Sequence, residues 1–122
     1  MAIALVMMSD PGSPEANCRM VHLLKAAESL KEADDDVAVY LHGAGVNWAT
    51  AFAERADKFT QHYGELFDNV KPVVAGACNF CATERFDQTE ALVELDIGTV
   101  GAEGTHHTVA AILQTGARVV TF

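Results

Sequence analysis

The sequence has no long apolar run, little positive charge and few cysteines. No stretch approaches the ~18 apolar residues of a spanning helix, so membrane insertion is not expected. Lysine and arginine number 8 against 17 aspartates and glutamates, a net charge of −9. That balance argues against nucleic acid or an anionic membrane surface as a partner, because both select a basic footprint. The opening "MAIALVMMSD" lacks the basic start of a signal peptide, and Asp10 and Pro11 cut its apolar run short, so a cytoplasmic protein is expected. The three cysteines are Cys18, Cys78 and Cys81. An odd count without an export signal argues against a disulfide scaffold and leaves metal binding, redox chemistry or plain packing. No GxGxxG or GxxxxGK[ST] motif occurs, and "GAG" at 43–45 is too short for a nucleotide loop, so no cofactor is expected. Linkers, low-complexity tracts and internal repeats are also missing. The 122 residues, half of them apolar, therefore read as one domain, 1–122.

What is present is a regular alternation. "AIALVMM" is a short apolar run closed by Asp10-Pro11-Gly12, as suits a strand covered on both faces. Ser13 then Pro14 form a helix start, and Met20, Val21, Leu23, Leu24, Ala27 and Leu30 recur at helical spacing until Asp34–Asp36. "VAVYLH" is a second strand, ended by Gly43 and Gly45. Residues 47–69 read as one helix capped by Asn47, with Trp48, Phe52, Ala56, Phe59 and Tyr63 on one side. "VKPVVAGA" is a third strand in which Pro72 requires an edge or a strand start. A mainly helical stretch follows over 80–96, with a break near Asp87. "IGTVGAEG" has room for a short fourth strand. Residues 105–116 read as a last helix stopped by Gly116, and "ARVVTF" as the closing strand. Strand–helix alternation predicts an α/β fold with a mostly parallel five-stranded sheet and helices on both faces.

In such sheets ligands gather at the carboxyl ends of the strands. Three segments lie there: Ser9–Ser13, His42–Asn47 and Ala77–Cys81. Ser9, Gly43, Gly45 and Asn79 are the candidate ligand rim. Cys78 ends a strand and precedes a helix, where unpaired N–H groups and the helix dipole favour thiolate or persulfide. It is expected to be the most reactive thiol. Cys81 falls in the first helical turn, and Arg85 adds positive charge nearby. His42, ending the second strand, suits a base, a thiolate partner or an anion donor, or else a hydrogen bond to a loop carbonyl. Because its strand resembles a neighbour of the third, it is expected near the Cys78 rim. Cys18, inside an amphipathic helix, reads as a small buried apolar residue. The Cys78/Cys81 spacing also fits a redox pair. A zinc site wants two further ligands, and His106-His107, if helical, diverge by about 100°, so no metal is expected.

The run "VAVYLHGAGVNWA" resembles the second-strand signature of DsrE/DsrF-like proteins. "VVAGACNFCATERF" resembles their third strand, which ends in a cysteine and leads into a helix carrying an arginine. "LQTGARVVTF" resembles their closing helix, glycine and last strand. The ordered set covers almost the whole chain. The resemblance implies a three-layer α/β/α domain. In DsrE/TusD-type sulfur-relay members one cysteine after the third strand carries sulfur as a persulfide, and Cys78 matches it, with Arg85 at the place of their arginine. The chain departs from them in having "TERF" after the cysteines and in having Cys81, which either resolves an oxidised or persulfidated Cys78 or packs.

The resulting expectation is a sulfur carrier or sulfurtransferase acting through a Cys78 persulfide, with sulfur donor and acceptor proteins as partners. Two other classes stand beside it: a non-catalytic small-ligand-binding or assembly module, and a Cys78/Cys81 thiol–disulfide switch. Self-association as a homotrimer or homohexamer is also expected. Trp48, Phe52, Phe59, Tyr63 and Phe67 cannot share one face of a single helix, so an isolated subunit would expose an aromatic patch. The resemblance implies the same oligomers.

Overall fold

The computed structural model describes residues 2–122. Five strands alternate with helices: β1 (Ile3–Met7), α1 (Pro14–Glu32), β2 (Val37–Leu41), α2 (Trp48–Glu54), α3 (Lys58–Val70), β3 (Val74–Cys78), α4 (Thr89–Leu95), β4 (Thr99–Val100), α5 (Val109–Leu113) and β5 (Arg118–Thr121). The sheet is parallel throughout, in the order β4-β3-β2-β1-β5. From β1 to β4 the chain steps outward in one direction. Right-handed crossovers then put α1 to α4 on one face. The return from β4 to β5 reverses direction, so α5 lies on the other. The core divides accordingly. Leu5, Met7, Val39 and Leu41 join α1–α4 in a large cluster, whereas Ala4 and Val6 pack with Ile112 of α5. This is the expected α/β fold, with a thick layer of four helices, the sheet, and a thin layer of one.

Local signals explain most elements. The Ser13 hydroxyl accepts the Ala16 N–H at 3.1 Å, and Pro14 opens α1. Pro72 lies in a short 3-10 turn just before β3, where its missing N–H breaks no ladder bond. Between Val39/Val74 and Tyr40/Gly76 the register slips by one residue, and exposed Ala75 is the extra one. Gly76 packs against Gly98 O and Val100 of the neighbouring strand and loop.

The expected single helix over 47–69 is two helices. Arg55 adopts a left-handed conformation (φ 49°), and Asp57 caps α3 by accepting from Thr60 N at 2.8 Å. Asn47 caps nothing with its side chain; it donates to Asp10 at 2.9 Å instead. The break changes the fate of the aromatics. Two separate helices both aim inward, so Trp48, Phe52 and Phe67 are buried, with Phe52 and Phe67 stacked at 4.2 Å and 9°. Phe59 and Tyr63 are half-buried against the same cluster. The expected exposed aromatic patch does not form. Among the described residues, the large apolar side chains that stand exposed are Met8, Val93, Leu113 and Val120. Cys18, expected to be buried, is exposed. The inward stripe of α1 runs through Ala16, Met20, Leu23, Leu24 and Ala27, and Cys18 is about 200° from Met20 around the helix. Among the described residues no helix is long and apolar enough to cross a membrane.

Candidate functional site

The carboxyl ends of β2 and β3 lie side by side, and each delivers a side chain to one rim. His42 directly follows β2, and its N–H donates to Met7 O at 3.0 Å. β3 ends in Cys78, which is buried. After Cys78 the chain turns helical and then widens into a π-type turn, Cys81–Arg85, closed by Phe86 N to Cys81 O at 3.0 Å. Such widened turns recur at functional sites.

The third contribution comes from topology. To travel from β4 at one edge to β5 at the other, residues 101–108 cross above the ends of β3 and β2. Asn79 pins this bridge. Its amide nitrogen donates to Thr99 Oγ1 at 3.1 Å, and its oxygen accepts Gly104 N–H at 2.8 Å. Phe80 N–H donates to Thr105 O at 3.0 Å. The bridge lowers two histidines onto the rim. His106 packs on Phe80, with ring centroids 4.4 Å apart, and its Nδ1 lies 3.7 Å from Cys78 Sγ and 3.6 Å from Cys81 Sγ. His107 stacks on Tyr40, and its Nδ1 is 3.1 Å from His42 Nε2. The His107 backbone N–H donates to Cys78 Sγ at 3.3 Å.

These groups line one cavity of about 280 Å³, with Met8, Gly43, Arg85, Thr108 and Val109 completing its walls. Arg85 lies over the Phe86 ring at 4.9 Å. Of the residues singled out in the sequence, Cys78, Cys81, His42, Gly43 and Arg85 therefore meet at this cavity. Three do not. Ser9 faces a separate hollow with Asp10, Ser13, Glu15 and Arg19. Gly45 is buried against the Met7 carbonyl. Asn79 positions the bridge instead of lining the cavity.

The two histidines are the residues that sequence reasoning passed over, because 105–116 was expected to be one helix. The helix starts only at Val109, with Thr108 Oγ1 accepting Ala111 N–H at 3.1 Å. Thr108 before "VAAIL" was the available signal. A cap there leaves His106 and His107 in the preceding loop, free to diverge, one toward the cysteines and the other toward His42.

The electrostatics favour neutral imidazoles at His42 and His107. Burial, helped by His107 and His106, lowers the His42 pKa from 6.5 to about 4. Burial also lowers that of His107. Burial pushes the Cys81 thiol above its ordinary value, with Cys78 adding to the effect; the Gly43 amide and Arg85 oppose it. The His42 shift has a consequence for stability. Its folded pKa lies below its unfolded one, so the unfolded chain binds the extra proton. Stability present above 6.5 is lost as pH falls toward about 4. The wild-type Tm should decline between pH 7 and pH 5, before carboxylates dominate, and His42→Gln should flatten that decline. Equal slopes for the two proteins, followed by circular dichroism, would show that His42 is not the group responsible.

Comparisons with curated proteins and with solved structures find no match. A family model does match, over residues 1–122. Because that match spans the whole chain, the chain belongs to the DsrE/DsrF-like family.

Proposed function

We propose that the protein carries sulfur as a persulfide on Cys78, received from one protein and passed to the thiol of another. The observation that carries this reading is the surroundings of the Cys78 sulfur. It ends a strand, accepts an N–H from His107, lies beside His106 Nδ1 and opens onto a cavity also lined by Arg85. A buried thiol is a poor target for a partner protein, but a persulfide places its terminal sulfur ~2 Å further out, inside the cavity.

Loading is a balanced transfer. Cys78 gives its proton to His106, and the thiolate attacks the outer sulfur of a donor persulfide. The donor S–S bond breaks, its electron pair leaves on the donor sulfur, and that thiolate takes up a proton. Sulfur moves with no net oxidation. Delivery repeats the step, with the acceptor thiolate attacking the terminal sulfur and Cys78 as leaving group. Arg85 and the His107 amide hold the anionic forms. Family membership supports the same reading, because the family is associated with sulfur relay.

A thiol–disulfide switch is the second reading, favoured because both cysteine sulfurs approach the same His106 nitrogen. Intact mass after treatment with a low-molecular-weight persulfide separates the two. With Cys18 and Cys81 both replaced by serine, a carrier still gains about 32 Da on Cys78, one sulfur atom, lost on reduction, whereas a protein that works only as a Cys78/Cys81 switch gains none. Self-association as a trimer or hexamer belongs to this proposal and rests on family membership and on exposed Met8, Leu113 and Val120, two of them on α5 and the edge strand β5. Light scattering should give three or six times the 13.0 kDa chain mass, and a value at 13.0 kDa would refute it.

A further inference from the structure

We infer that Cys78, Cys81 and His106 form a site for a thiophilic metal ion of the zinc class, held by two thiolates and one imidazole with the fourth position open to the cavity. The inference goes beyond the sulfur-carrier reading, since it needs no sulfur loading. Three independent features carry it. The first is distance. With metal–sulfur bonds of ~2.3 Å and metal–nitrogen bonds of ~2.0–2.1 Å at the tetrahedral angle, a thiolate and an imidazole on one ion lie ~3.6 Å apart. His106 Nδ1 lies 3.7 Å from Cys78 Sγ and 3.6 Å from Cys81 Sγ, and the three donor atoms are all within 4.8 Å of one another. The second is spacing. Two cysteines separated by two residues, with the first at a strand end and the second in the following turn, form a common zinc-ligand pair.

The third feature is the support around the donors. The His107 N–H donates to Cys78 Sγ, as outer-shell amides do for metal thiolates. Phe80 packs on the His106 ring and fixes its plane, leaving Nδ1 toward the sulfurs. Three protein ligands and an open position form the pattern of a reactive, not a purely structural, site. Binding a divalent ion releases two thiol protons to solvent, changes no oxidation state and leaves a neutral centre, so Arg85 on the same cavity does not oppose it. An ion held this way occupies both sulfurs, so metal and sulfur loading exclude each other.

The test uses the full chain, reduced and metal-free, with Co2+ and Zn2+ as probes. One Co2+ per chain should bind with sulfur-to-cobalt charge transfer and the intense visible absorption of tetrahedral cobalt. Zn2+ should slow maleimide modification of Cys78 and Cys81 at least ~10-fold, while exposed Cys18 reacts unchanged as an internal reference. His106→Ala should weaken binding by ~10–100-fold or more. His106 is exposed, so this variant keeps the core intact, whereas Cys81→Ser removes a buried donor and serves as the second variant. Absence of the charge-transfer band, absence of protection, or His106→Ala binding as tightly as wild type would each overturn the site. Persulfide loading is measured separately on metal-free protein, so either idea can fail without the other.

Discussion

Cys78→Ser should abolish the sulfur adduct entirely, while Cys81→Ser should retain it. The comparison belongs in a Cys18→Ser background, because Cys18 is exposed on α1 and would take up sulfur by itself. In that background the parent protein gains about 32 Da after exposure to a low-molecular-weight persulfide. Serine at position 78 offers no thiolate, so the gain should fall to nothing. Position 81 behaves differently. Burial and the neighbouring Cys78 raise the Cys81 thiol above its ordinary value, so its thiolate forms less readily, but it stands beside Cys78 and can resolve a persulfide there. When the Cys81 thiolate attacks Cys78 Sγ, hydrosulfide leaves and a Cys78–Cys81 disulfide remains. Cys81→Ser removes that exit, so its adduct should outlive that of the parent. Cys78 is 1% exposed, and a serine hydroxyl there carries a desolvation cost of ~1–3 kcal/mol if unpaired. Cys78→Ala, which buries no hydroxyl, is therefore made alongside, and both must show native circular dichroism. An adduct that survives in either would end the carrier assignment.

The parts of this fold that could be read from sequence are those set by neighbours in the chain. Ser13-Pro14 caps and starts a helix wherever it occurs, and the apolar runs at β1, β2 and β3 need no partner to be recognised. The parts that could not be read depend on contacts distant in sequence. Trp48, Phe52, Phe59 and Tyr63 keep a helical period across the break at Arg55, so the pattern reads as one helix although two are formed. At the site, Cys78, Cys81, Arg85 and His42 were legible because each ends a strand or lies in the turn after one, and parallel sheets collect strand ends. His106 and His107 were not, because nothing local says that the β4-to-β5 connection must cross the rim. That crossing follows from the strand order, in which β5 pairs with β1 at the far side from β4. The same topology explains why both histidines reach the rim at once and why they part company there.

Gly45→Ala should destabilise the protein by ~3 kcal/mol or more, whereas Gly43→Ala, two residues earlier, should cost only ~1–2 kcal/mol. The contrast follows from what each position lacks. Gly43 has φ 55° with nothing within 4 Å of an added Cβ, so alanine there meets only the left-handed backbone penalty. Gly45 has ordinary φ, but its Cβ would stand 2.1 Å from Met7 O and 2.7 Å from Met7 C. That carbonyl belongs to β1 and cannot rotate away, because it accepts His42 N–H at 3.0 Å. Gly45 N–H is itself bonded to His42 O at 2.9 Å, so the turn cannot slide outward without breaking a second bond. Relief requires the ends of β1 and β2 to separate, and that separation carries His42 away from His107. For a domain of this size 3 kcal/mol lowers Tm by more than ~10 °C. Sulfur loading at a temperature where Gly45→Ala is still folded should also fall, because the rim is displaced, while Gly43→Ala loads more nearly as the parent does. Equal Tm losses for the two variants, or a Gly45→Ala protein as stable as wild type, would mean that the β1–β2 rim yields more easily than its hydrogen bonds imply.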